Sequence, residues 1–104
     1  MQVAWYETGS GRRPAEDFID SLPLDVRSAI RNDIHVVAEY GRRAPASVKA
    51  IAAHSPLCEI RTLGLRTFFY VEKDMLVVLH VCKKQDQAAG IRLASKRMRE
   101  LRGG

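Results

Sequence analysis

The side chains best suited to chemistry are cations set among short apolar runs. They are Arg61 and Arg66, separated by Thr62-Leu63-Gly64-Leu65, and the Lys83-Lys84 pair that ends a third run. Guanidinium and ammonium groups bind phosphate and stabilise charge that develops on it. Strand alternation puts Glu59 and Arg61 on one side of their strand, and Arg66, Phe68, Tyr70 and Glu72 on one side of the next. The stretch 61–66 spans the turn between the two strands, so both arginines belong to one end of a sheet. Spacing leaves open whether the lysines meet them, because neighbouring antiparallel strands run in opposite directions. It also leaves open a structural role: Arg61 paired with Glu59 or with an acid of the first helix, Tyr70 in the core, and the lysines blunting a strand end.

Other chemistries are poorly served. His35, His54 and His80 are far apart, Cys58 and Cys82 are isolated, and neither Cys-x-x-Cys nor His-Glu-x-x-His occurs, so no metal site is expected. Gly9-Ser10-Gly11 lacks the Lys-Ser/Thr continuation of a phosphate-cradling loop and runs on to Pro14. Both cysteines lie inside apolar runs, which suits buried reduced thiols, and His80 and Cys82 read as packed strand residues.

The elements that must position the cations follow from periodicity. Val3, Trp5 and Tyr6 predict an opening strand over 2–7, closed by the Gly-Ser-Gly turn. Pro14 opens a helix over 14–21 with Glu16 and Asp17 at its positive end and an apolar face of Ala15, Phe18, Ile19 and Leu22. After Pro23, Val26, Ile30, Ile34 and Val37 trace a second helix over 24–40 that Gly41 stops. Residues 42–55, with Pro45 and several alanines, predict an irregular connection. Runs rich in β-branched and aromatic residues at 57–63, 65–72 and 75–83 predict three meander strands, the last apolar on both faces and therefore central. Asp86 can cap a final helix with Ile91, Ala94, Met98 and Leu101 on its buried stripe. The expected fold is α+β in the order β-α-α-β-β-β-α, a small mainly antiparallel sheet with an N-terminal helical hairpin on one face and a C-terminal helix.

A chain of 104 residues, 46% hydrophobic and 28% charged, makes one domain, 1–104, with a modest core. Its longest apolar run, Met75 to Cys82, is too short to span a bilayer, and the first residues show no secretory leader, so a cytoplasmic protein is expected. The net charge of +5 is unevenly placed. Residues 1–40 carry four basic and seven acidic side chains, a balance of −3; residues 41–104 carry thirteen and five, a balance of +8. A polyanion such as nucleic acid is drawn to the C-terminal part. Arg92, Lys96, Arg97 and Arg99 of the final helix could face ribosomal RNA, an acidic partner segment or water.

Glu59-Ile60-Arg61, then Leu65-Arg66-Thr67-Phe68-Phe69-Tyr70, an apolar strand ending in Lys83-Lys84, and Ala94-Ser95-Lys96-Arg97-Met98-Arg99-Glu100-Leu101 follow one another in a telling order. With the Trp5-Tyr6 strand and the helix from Pro14 to Phe18, this succession resembles the HigB-type, phage-derived branch of the RelE/ParE toxin superfamily. The resemblance implies a RelE-like fold and a toxin that binds the ribosome and cuts messenger RNA without metal or other cofactor. It also implies a neutralising helix-turn-helix antitoxin. Arg66 matches the family's strand arginine at the scissile phosphate, Lys83 or Lys84 its basic residues at the end of the last strand, and Arg61 the arginine of its Glu-Leu-Arg pattern. After the last strand, Gln85-Asp86-Gln87-Ala88-Ala89-Gly90 stands where related nucleases carry an aromatic or a histidine. Tyr70 or His54 would then substitute in RNA binding, and the general base is unassigned. Two other readings compete: a ParE-like inhibitor of DNA gyrase, and a non-catalytic phage-derived protein that binds nucleic acid or a partner.

Overall fold

The computed structural model describes residues 1–52 and 55–103, and of Arg42 the backbone alone. Five strands, β1 (Gln2–Trp5), β2 (Ser47–Ala50), β3 (Cys58–Thr62), β4 (Leu65–Glu72) and β5 (Met75–Lys83), form one sheet in the order β1-β5-β4-β3-β2. β1 runs parallel to β5 and every other pairing is antiparallel. Helices α1 (Pro14–Asp20) and α2 (Leu24–Tyr40) cover one face and α3 (Gln87–Leu101) the other.

The helical hairpin forms for local reasons. Pro14 occupies the first turn of α1, where no amide hydrogen is needed, and Gly41 ends α2 at a φ of 61° that disfavours a side chain. Arg31 of α2 donates to Asp20 at 2.6 Å and lies over the Trp5 ring at 5.7 Å, joining α1, α2 and β1. Beneath the hairpin, Ile19, Ile30, Ile34, Val37, Ile60, Phe69, Leu76 and Val78 make the larger core. The α3 face has its own: Leu57, Phe68, Tyr70, Val77, Leu79, Ala94 and Met98. Cys58 packs with the first cluster and Cys82 with the second, so the sheet itself separates the two sulfurs.

Two features depart from expectation. The connection after α2 contains a real strand, β2, whose pairing with β3 supplies the missing edge. Its four residues expose three side chains; Val48 packs against the core under the helical hairpin, and the backbone ladder to β3 holds the rest. A β-bulge in β5, opposite Phe68 and Phe69, also breaks simple alternation. Leu79 and His80 therefore both lie toward α3. None of the described helices is long and apolar enough to cross a membrane.

Candidate functional site

Across the β3–β4 ladder Arg61 faces Arg66 and Glu59 faces Phe68, so all these side chains point toward α3. Two guanidinium groups on directly opposed positions repel unless a carboxylate stands between them. Glu59 does so. Its Oε2 lies 3.5 Å from the Nε of both Arg61 and Arg66. Gln87, in the first turn of α3, donates to Oε1 at 2.9 Å. Arg66 also donates to the Leu65 carbonyl at 3.0 Å. Glu59 is only 3% exposed and Arg66 6%, whereas the Arg61 side chain is 34% exposed. One arginine is a buried anchor and the other opens to solvent, and the trio keeps one positive charge in excess.

The remaining cations are distributed by register. Lys83 pairs with Leu65 and Cys82 with Arg66, so alternation turns Lys83 to the helical-hairpin face, away from the arginines. The expectation that it could join Arg66 at one phosphate is corrected. Lys84 is exposed, and its amide donates to the Gly64 carbonyl at 2.8 Å, which places it beside the β3–β4 turn. Arg92, Lys96 and Arg99, spaced by four and three, form an exposed stripe along α3. Arg97 turns inward, donates to the Leu79 carbonyl at 2.8 Å and lies over the Tyr6 ring at 4.7 Å.

Tyr70, expected to bind RNA, is instead packed under α3 with its hydroxyl donating to Glu72 at 3.3 Å. Burial, then the neighbouring Glu72 carboxylate, raises its pKa. The aromatic ring is core because α3 covers that side of the sheet. His54, the other candidate, lies outside the described residues. Sequence reasoning passed over Gln87, whose signal was its place at the first turn of a helix following the cationic strand. It also passed over Gly90, where an added Cβ would lie 2.8 Å from the Cys82 sulfur and 2.9 Å from the Phe68 ring.

His80 stacks parallel to Phe68 at 6.3 Å, with its Nδ1 3.5 Å from Arg97. Arginine only donates, so the geometry suits a neutral ring with its hydrogen on Nε2. Burial, and secondarily Arg97, lowers the His80 pKa. The unfolded chain therefore binds this proton more readily, and stability should fall as pH drops below about 6.5 toward the lower folded pKa. Thermal melts from pH 7.5 to 4.5 should show this acid loss reduced in His80→Gln. An unchanged pH dependence would contradict it.

A mixed sheet with a helical hairpin on one face and a single helix on the other is the RelE-type toxin fold. The crystal structure of the RelB-RelE antitoxin-toxin complex from Methanococcus jannaschii superposes on it with a TM-score of 0.61. The match covers 86% of this chain and 96% of that one at 12% identity. The family model described as "Phage derived protein Gp49-like (DUF891)" matches residues 17–99, and the chain belongs to that family. No curated protein matches it in sequence. Family and fold point to the superfamily of RelE-type toxins without singling out its HigB branch.

Proposed function

We propose that this chain is the toxin of a type II toxin–antitoxin pair, of HigB type, and that it cuts messenger RNA on the ribosome. The observation that carries the reading is the guanidinium pair, Arg61 and Arg66, held on facing strands by one buried carboxylate. RNA supplies its own nucleophile. The 2′-oxygen bonds to the adjacent phosphorus as the bond to the 5′-oxygen breaks; the proton lost by the former is matched by one gained by the latter. The products are a 2′,3′-cyclic phosphate and a 5′-hydroxyl, and no metal or cofactor is required.

In this reaction the protein aligns the reacting atoms and stabilises the extra negative charge on phosphorus. Arginine does not deprotonate, so Arg61 and Arg66 act as fixed charges and not as bases. Glu59 and Gln87 hold them in place before substrate arrives, which removes reorganisation from the barrier. Lys84 and the Arg92, Lys96 and Arg99 stripe extend the positive field over the rest of the message and ribosomal RNA. An antitoxin, by extension from the neighbour solved with its antitoxin, and of the helix-turn-helix kind that the family resemblance implies, would neutralise the protein in the cytoplasm.

Wild type, Arg61→Ala and Arg66→Ala should be induced in bacteria at matched protein levels, with RNA 5′ ends mapped and plasmid supercoiling measured. Wild type should produce new ends within translated codons. Cleavage should fall about 100-fold in Arg61→Ala, the arginine open to solvent, the scale of losing one preorganised donor to developing charge. Arg66→Ala should lose cleavage together with stability, because it leaves Glu59 buried with one partner fewer. Altered supercoiling with intact messages would establish the gyrase inhibitor instead, and no effect on growth the binding protein.

A further inference from the structure

The two-residue turn between β3 and β4 assigns its conformations against residue type. Thr62 pairs with Leu65, so Leu63 and Gly64 are the central positions. Leu63 adopts a φ of 56°, whereas Gly64 has no left-handed φ. These signs are those of a type II′ turn, whose first position is normally glycine. A γ-branched side chain thus occupies the strained position while glycine sits beside it. Leu63 is also 72% exposed, the highest value among the exposed large hydrophobic residues. The other left-handed non-glycine residues described, Lys73 and Asp74, are polar and occupy the opposite hairpin. Burial explains nothing about Leu63, which presents an apolar side chain to solvent from a position that costs backbone strain.

What surrounds the tip says what that side chain would meet. Arg61 and Arg66 form the second rung from the turn, and the Lys84 amide is bonded to Gly64. An exposed apolar tip with the part-exposed Arg61 one rung behind it and the exposed Lys84 alongside suits a ligand that alternates apolar faces with anionic groups, which is single-stranded nucleic acid. Resting on the ribonuclease reading above, we infer that Leu63 is a wedge that packs against the unstacked base beside the phosphate that Arg61 meets, with Arg66 as the buried charge behind it. It would hold that base out of the stack and so set the geometry of the 2′-oxygen.

The test uses purified ribosomes programmed with a short message whose nucleotide next to the cut carries either its base or an abasic ribose. Wild type should cut the base-bearing message about tenfold faster, a modest share of what stacking one base supplies. Leu63→Gly should cut both at the slower rate while melting a few degrees higher, because glycine relieves the left-handed strain. Leu63→Phe should keep the preference. Full base preference in Leu63→Gly would overturn the wedge and leave the ribonuclease reading intact. Loss of antitoxin binding with unchanged cleavage would likewise overturn it and make Leu63 a partner contact. Wild type that cuts neither message would defeat both readings together.

Discussion

Replacing Glu59 by alanine should destabilise the fold by about 3–5 kcal/mol, the range for removing one partner of a buried ion pair. Glu59 is the carboxylate between Arg61 and Arg66 and accepts from Gln87 at 2.9 Å. Without it, the buried Arg66 guanidinium faces a second cation across the ladder, and Gln87 loses its acceptor. A domain of this size has about 5–15 kcal/mol in all, so the variant should melt far below wild type and accumulate poorly. Glu59→Leu combined with Arg66→Met should recover most of the stability, because an apolar pair of similar shape carries no desolvation penalty. The same double variant should not cleave RNA. Urea titration of the three proteins checks the first claim; an alanine variant as stable as wild type would show that the carboxylate does not hold the arginines.

Gly90→Val should destabilise by about 3 kcal/mol, the upper end for overpacking a core. Glycine inside a helix is ordinarily a weakness, and a free helix would gain from almost any replacement. Here the helix rests on the sheet at this point, with Cys82, Phe68 and His80 all within 3.3 Å of the place a Cβ would take. Valine would force α3 away from β4 and β5. Gln87 lies one turn earlier and would withdraw from Glu59, so cleavage should drop with stability. Gly90→Ala should be milder, and Cys82→Ala should rescue it in part by removing the sulfur, leaving the Phe68 ring in the way. Thermal melts of the single and double variants measure that coupling; additive effects would mean that the helix seats elsewhere.

The comparison of Tyr70 with Phe68 shows why burial could not be read from alternation. Both sit on the α3 side of β4, and alternation placed them there together. That this side is covered is a property of where α3 docks. Lys83 failed for a related reason: adjacency to Lys84 in the chain says nothing about face, and the pairing of Arg66 with Cys82 settles it. β2 escaped because Ser47-Val48-Lys49-Ala50 has one partly buried side chain and takes its structure from hydrogen bonds to residues 58–61. The bulge in β5 has no local signature either: it shows only in the pairing, where Leu79 has no partner on β4.

Local and near-local rules were enough for the second helix, for β4 and β5, for the hairpin of helices on one face and for the two arginines at one end of the sheet. Each depends on a period, a breaker or a turn within a few residues. What needed the folded chain was the assignment of those parts to one another: Glu59 between the arginines with Gln87 against it, Lys83 on the far face, Tyr70 beneath α3, and Leu63 alone at the tip. Those relations are set by strand register and by the docking of a helix distant in sequence. Both are decided by which surfaces the whole chain can bury at once.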